Sequence, residues 1–192
     1  MQAAIAANGV PVDVARHARQ IALPEVGPEG QARIAAARVA VIGADRAAET
    51  AALYLRAAGV GEVFEATALL NDASNFDLVI RSGFDDVPMD AVAARLGLPA
   101  IFVRATPEAV DLVAFSGRAP SSEARPEVPF QAAATEPAND ASAVLAGTLA
   151  AAEALHAIVR EASGPFTPSI RHLRLPLDGR EPLVQMIGRR PS

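Results

Sequence analysis

The sequence contains no cysteine and no lysine, and only 4% of its 192 residues are aromatic. The absence of cysteine excludes a thioester-forming nucleophile, a disulfide and a cysteine-ligated zinc site. With so few aromatic residues, the core must come from alanine, valine, leucine and isoleucine, which suits helices packed against a parallel sheet. All 17 positive charges are arginines, and the formal net charge of −5 argues against a nucleic-acid surface.

Long hydrophobic segments are also absent. No apolar run approaches about 20 residues, so the sequence predicts no membrane-spanning segment. Residues 1–20 lack the basic flank and long apolar run of a secretion signal. We therefore expect a soluble cytoplasmic protein, and the length predicts one domain over 1–192 with a single core.

The chain is organised around residues 38–61, which read RVAVIGADRAAETAALYLRAAGVG. Arg38–Ile42 predicts a strand, Gly43 a tight turn, and Ala47–Ala58 a helix with Tyr54 on its apolar stripe. This order is typical of nucleotide-binding α/β domains. The expected fold class is α/β: a Rossmann-like, mostly parallel sheet with helices on both faces.

Further elements follow from the remaining apolar patterns. Strands are predicted at Glu62–Ala66, Asp77–Ser82, Ala100–Val103 and Val110–Phe115, and helices at Val12–Gln20, Gln31–Ala37, Met89–Leu96 and 139–162. The chain is predicted to end in a β-hairpin of 170–175 and 182–187. Residues 1–11 read as a loose leader, and 117–138 as a proline-rich crossover loop of unusual length.

A family resemblance begins in residues 16–31, which read RHARQIALPEVGPEGQ. This segment closely resembles the opening of the ThiF/MoeB/HesA proteins, the bacterial relatives of ubiquitin-activating enzymes. VAVIGA and AALYLRAAGVG resemble that family's first strand, first helix and closing turn, and residues 143–158 resemble its long helix. The resemblance implies a doubly wound sheet that dimerises. It also implies ATP- and magnesium-dependent adenylation of the C-terminal glycine of a ubiquitin-like or sulfur-carrier protein.

The phosphate-binding turn departs from the family pattern. The family has Gly-x-Gly-Gly-x-Gly, whereas residues 43–48 read GADRAA, so only Gly43 remains and is a vestige of the site. The second glycine would let the backbone approach phosphate, and Asp45 instead places a bulky carboxylate there. Alternatively, Asp45 and Glu49 are carboxylates that stabilise the start of the following helix.

The other residues that the family uses are missing as well. The ribose-binding acid would fall near Thr67, with Glu65 close by on the opposite face of a regular strand. The magnesium-binding acid would fall at Phe84, and the family's lysine has no counterpart. We therefore predict no catalytic residue, no metal ligand and no bound ATP or magnesium. None of the three histidines has partners at metal-ligand spacing. His17 belongs to the family-like opening, His156 is expected to pack or to lie at the surface, and His172 is expected to lie on a solvated strand face.

One functional element of the family is retained. In its dimeric members, the second arginine of the opening motif reaches across the dimer to the partner's ATP. The resemblance assigns that role to Arg19, with Arg16 beside it and His17 in place of a tyrosine. A guanidinium donated in this way stabilises phosphate charge without a site on its own chain. The alternative is that Arg16 and Arg19 simply lie on an exposed helix face.

Two functions remain open from the sequence. The first is a non-catalytic family member that associates with an adenylating homologue or with a ubiquitin-like or sulfur-carrier protein, as a homodimer or a heterodimer. The second is a nucleotide- or small-molecule-binding enzyme with a remodelled site at the sheet edge, built from Arg46, Asp85, Asp86 and Arg104. A purely structural homodimer is a third possibility.

Overall fold

The computed structural model describes residues 3–5, 11–68, 73–83, 98–116, 138–160 and 169–187. The strands in these residues are β1 (Ala3–Ile5), β2 (Pro11–Asp13), β3 (Arg38–Ile42), β4 (Glu62–Ala66), β5 (Leu78–Ser82), β6 (Ala100–Ala105), β7 (Ala109–Ser116), β8 (Ser169–Pro176) and β9 (Leu183–Ile187). The helices are α1 (Ala18–Ile21), α2 (Gly27–Ala36), α3 (Arg46–Ala58) and α4 (Asp140–Arg160).

One seven-stranded sheet has the order β4-β3-β5-β6-β7-β8-β9. The pairs from β4 to β6 are parallel, and those from β6 to β9 are antiparallel. Five of the seven strands, β3 to β6 and β8, consequently point the same way. The predicted α/β fold class, with a Rossmann-like, mostly parallel sheet and a C-terminal hairpin, is confirmed.

Helices α3 and α4 pack against one face of this sheet and against each other. Their contact surface is rich in alanine, with Ala51, Ala146 and Ala150 fully buried beside Leu55. Small side chains allow close approach, as the composition predicts. Tyr54 was expected on the buried stripe but is 46% exposed, because the helix turns its alanines and Leu55 inward instead.

On the other sheet face, a smaller apolar cluster joins β3 and β5. It contains Ala40, Ile42 and Val79, with Phe76 and Leu98 packed against it. The helix predicted at Met89–Leu96 falls outside the described residues, as do 117–137 of the predicted crossover loop. The single domain predicted over 1–192 therefore stays a prediction.

Helix α4 lies within the predicted bounds of 139–162, but it is more apolar than the sequence analysis allowed for. By length and mean hydropathy it could cross a membrane, contrary to our expectation that no segment could. Half of that window is buried, however, because α4 is the central helix of the fold, in contact with α2, α3, β6 and β7. Asn139 caps its first turn, with its Oδ1 accepting from the Ser142 N–H at 2.9 Å.

The N-terminal region differs from the prediction in three places. β1 and β2 form an antiparallel ribbon, so part of the predicted leader is ordered, with Val12 buried next to α2. The helix predicted at Val12–Gln20 is confined to α1, since the Asp13 carboxylate accepts from the Arg16 N–H and holds a turn instead. α2 begins at Gly27 rather than Gln31, because Pro28 is compatible with a first helical turn.

Candidate functional site

The carboxyl ends of β3 and β5 meet the N-terminus of α3 at one edge of the sheet. The chain leaves β3 to form β4 on one side and later returns to form β5 on the other. Doubly wound folds bind ligands at such a reversal of strand order. The residues at this point are Gly43 and Asp45 after β3, and Ser82 and Gly83 at the end of β5.

Asp45 is the N-cap of α3, and its carboxylate occupies the end of that helix. Oδ1 accepts a hydrogen bond from the Ala48 N–H at 2.9 Å, and Oδ2 accepts one from the Ser82 hydroxyl at 2.6 Å. The alternative in which Asp45 stabilises the helix start is confirmed. One of the open N–H groups at the start of α3, that of Ala48, is therefore already bonded to the chain's own carboxylate.

Gly43 lies where α3 and β5 come close together. Its φ is +154°, and a Cβ here would lie 3.0 Å from the Ala48 Cβ and 3.1 Å from the Ser82 Cβ. Any larger residue would push α3 away from β5. The glycine thus has a role in this chain whether or not a phosphate binds, and its assignment as a vestigial cofactor residue stays a prediction.

Charged residues around the turn are paired with each other. Arg46 Nη1 lies 3.1 Å from Glu49 Oε2 on the outer surface of α3. Glu65, which comes close to the family's ribose-binding position, contacts Arg56 Nη2 at 2.5 Å. Neither carboxylate is directed to a ligand in this arrangement.

The proposed remodelled site is not brought together by the described residues. Arg46 lies at the start of α3, whereas Arg104 lies on the sheet face opposite to α3, next to Asp111 on β7. Asp85 and Asp86 fall outside the described residues. Arg46 and Arg104 therefore lie on opposite sides of the sheet.

The segment that carries Arg16 and Arg19 is anchored by its neighbours. His17, which replaces the family's tyrosine, is buried: its Nδ1 lies 2.9 Å from Gln20 Oε1, and its ring lies against Gly59, the αL residue that ends α3. Gln31 is fully buried and donates to the Ala58 carbonyl at 3.0 Å. Two residues of the family-like opening thus hold this segment against the end of α3.

Both arginines of that segment face solvent. Arg16 lies in the turn before α1, and Arg19 lies within α1. The two residues therefore do not share one helix face, which was the alternative interpretation. Within the described part of the chain, neither guanidinium takes part in an ion pair, unlike those of Arg38, Arg46 and Arg56. The two groups are therefore available to a partner.

A buried charged cluster lies on the sheet face opposite to α3. Asp111 on β7 is 2% exposed; its carboxylate lies 3.7 Å from Arg104 Nη2, 3.5 Å from Arg174 Nη1 and 3.4 Å from His172 Nε2. The expectation that His172 faces solvent is wrong, because β8 is an interior strand and the imidazole ring of His172 packs next to Asp111. Sequence reasoning missed this cluster, because its members lie on three strands whose order the sequence analysis did not predict.

No group of three histidine or acidic side chains in the described residues comes together as a metal ion would need.

Sequence reasoning also missed Ser82. The one signal was a serine followed by glycine at the end of a buried strand, which places a hydroxyl at the ligand edge of the sheet.

Comparison with known proteins gives relatives of one kind. The probable adenylyltransferase/sulfurtransferase MoeZ of Mycobacterium tuberculosis is 39% identical over 90 residues, 46% of this chain and 23% of MoeZ. The SAMP-activating enzyme E1 of Haloferax volcanii is 40% identical over 72 residues, 38% of this chain and 27% of that protein. The sulfur carrier protein adenylyltransferase of Thermus thermophilus is 52% identical over 48 residues, 25% of this chain and 18% of that protein.

Solved structures match the whole fold more fully. Escherichia coli MccB, crystallised with MccA-N7isoASN, superposes with a TM-score of 0.65 at 13% identity, over 94% of this chain and 73% of MccB. PaaA superposes with a TM-score of 0.61 at 14% identity, over 91% of this chain and 73% of PaaA. No protein-family model matches the chain. The chain spans only about a quarter of the length of the curated relatives it matches.

Proposed function

Since this chain is a member of the ThiF/MoeB family over the part that its relatives match, we propose that it is a non-catalytic member that acts by associating with another protein. Its partner is an adenylating homologue, with which it forms a homodimer or a heterodimer, or a ubiquitin-like or sulfur-carrier protein. It binds neither ATP nor magnesium by itself, and it works in the cytoplasm.

The observation that carries this proposal is the position of the Asp45 carboxylate. It bonds the Ala48 N–H and the Ser82 hydroxyl at the helix end where a phosphate would be held. A phosphate brought to this point would meet a carboxylate of the same sign, and displacing Asp45 would break both hydrogen bonds. The loss of the other glycines after Gly43 supports the same conclusion.

The action on a partner is assigned to Arg19, with Arg16 beside it. Both guanidinium groups face solvent, and the segment that carries them is fixed to the end of α3 by His17 and Gln31. A positioned guanidinium can form two parallel hydrogen bonds to phosphate oxygens of another chain. We infer that Arg19 reaches the nucleotide of an adenylating partner in trans.

The relatives suggest which proteins to test. Their names describe a sulfur carrier protein adenylyltransferase and a SAMP-activating enzyme, and MccB was crystallised with MccA. By analogy, the partner of this chain is an adenylating homologue from the same cell, or the carrier that such a homologue modifies.

The experiment measures ATP–pyrophosphate exchange by that homologue with and without this chain. We expect the chain to raise the exchange rate. The rise caused by the Arg19→Ala variant should be about 100-fold smaller, because the variant lacks one hydrogen-bond donor to the charge that develops in the transition state. Arg160→Ala removes an exposed arginine at the end of α4 and should leave the increase unchanged. No binding to either candidate partner, or full activity of Arg19→Ala, would contradict the proposal.

The remodelled small-molecule enzyme is the less well supported function. Arg46 is paired with Glu49 on the outer surface of α3, and Arg104 is buried beside Asp111 on the far sheet face. No described pair of these side chains converges on a common point.

A further inference from the structure

Strand β9 leaves one edge of the seven-stranded sheet open. It pairs antiparallel with β8 on one side, and in the described part of the chain nothing pairs with its other side. Its side chains are apolar yet exposed, with Leu183 at 48%, Val184 at 64% and Met186 at 61%. An exposed apolar edge strand is a template for pairing with another strand.

The opposite edge of the same sheet is protected in a way that β9 is not. β4 carries Glu62, which pairs with Arg38 at 2.7 Å, and Glu65, which pairs with Arg56. β9, reading LVQMI, has no charged residue. Charges on an edge strand oppose strand addition, so their presence on β4 and absence from β9 point to β9 as the edge that is used.

The sequence of β9 is complementary to itself. In an antiparallel pair of identical strands centred on Gln185, Gln185 faces its own copy and Val184 faces Met186 of the other chain. No charge meets a like charge in this register. Val184 and Met186 project from the same sheet face, the one that carries α4, because they lie opposite Leu173 and Arg171 of β8. Two copies would therefore join four apolar side chains into one cluster.

We propose that β9 is a self-association surface, at which a second copy of this chain adds antiparallel across a two-fold axis through Gln185. The contact is isologous, so it closes at two copies and does not propagate into a fibre. A standard protein interface uses about 20–30 residues on each side, and β9 offers five. The association is accordingly weak and depends on protein concentration. The proposed action of Arg19 uses a different element, α1, and not β9.

The first experiment uses the absence of cysteine. Gln185→Cys gives each chain one thiol, and residues facing each other across an antiparallel pair lie within the Cα separation of a disulfide. Under mild oxidation we expect a disulfide-linked dimer of twice the 19.8 kDa chain mass. Leu53→Cys, at a site 64% exposed on α3, is the matched control and should remain monomeric on denaturing gels. Equal cross-linking of the two variants would overturn the proposal.

A second pair of variants tests the register. Val184→Lys combined with Met186→Lys places lysine opposite lysine twice, so the dimer seen by sedimentation should be lost. Val184→Lys combined with Met186→Glu places lysine opposite glutamate twice, and the dimer should return and weaken with added salt. The proposal would be overturned if the unmodified protein stayed monomeric at concentrations up to about 1 mM, or if the double lysine variant still formed the dimer.

Discussion

At the scale of single residues, Asp45 explains how the turn after β3 is stable without its glycines. The carboxylate satisfies one of the N–H groups left open at the start of α3 and also accepts the Ser82 hydroxyl from β5. Both hydrogen bonds are charge-assisted, which makes them stronger than neutral ones. One side chain thus fastens the helix start to the neighbouring strand.

Replacement of Asp45 by alanine should lower the free energy of unfolding by about 1 kcal/mol, because the N-cap is lost. Asp45→Asn keeps an oxygen acceptor for the Ala48 N–H and should lose less. Urea unfolding monitored by circular dichroism gives both values. If Asp45→Ala is as stable as the unmodified protein, the capping role assigned here is wrong.

The capping half of this arrangement could be predicted from sequence, but the other half could not. An aspartate just before a helix, with Glu49 in the first turn, is a local signal that follows from the helix dipole. Ser82 lies 37 residues away, and its contact with Asp45 depends on the pairing of β3 with β5. In the same way, the burial of His17 depends on its distant neighbour Gly59.

At the scale of elements, the crossing of α3 and α4 determines how closely the helices approach. Gly147 lies at this crossing, where a Cβ would be 2.3 Å from the Ala47 carbonyl oxygen and 2.7 Å from the Thr50 Cβ. Only glycine permits that approach between two backbones. The sequence predicted a long helix here with a broad apolar face. The sequence could not show that the side of α4 that carries alanine and glycine, rather than the side that carries leucine, contacts α3.

Gly147→Ala should therefore destabilise the fold by about 1–3 kcal/mol, the typical cost of overpacking, even though alanine favours the helix itself. Ala152→Ser is the control, since Ala152 is exposed on the same helix and its change should cost less than about 0.7 kcal/mol. Thermal and urea unfolding measure both. A Gly147→Ala protein more stable than the original would show that the helices can separate at no cost.

At the scale of the whole molecule, the charged cluster around Asp111 joins three strands across the antiparallel half of the sheet. Arg104, Asp111 and Arg174 stand in register on β6, β7 and β8. Such residues are widely spaced in sequence and could be matched only once the strand order was known. The fold class could be predicted because the pattern of strand, turn and helix is local in the sequence, whereas the interior depends on which strands lie side by side.

Asp111→Ala should cost about 3 kcal/mol of stability, because it removes the carboxylate next to the buried His172 and Arg104 side chains. The more exposed Asp178, paired with Arg180 at 2.7 Å in the β8–β9 loop, is the matched control, and Asp178→Ala should change stability little. Denaturant unfolding compares the two, and equal effects would contradict a structural role for the buried cluster.

The central proposal is that this molecule keeps the fold of its adenylating relatives while Asp45 blocks the helix end at which a nucleotide phosphate would bind. Isothermal titration calorimetry of the unmodified chain with ATP and magnesium tests it most directly. Our account predicts no binding heat up to millimolar nucleotide, because the helix end that would hold phosphate is bonded to a carboxylate. ATP binding with a dissociation constant in the micromolar range would contradict it.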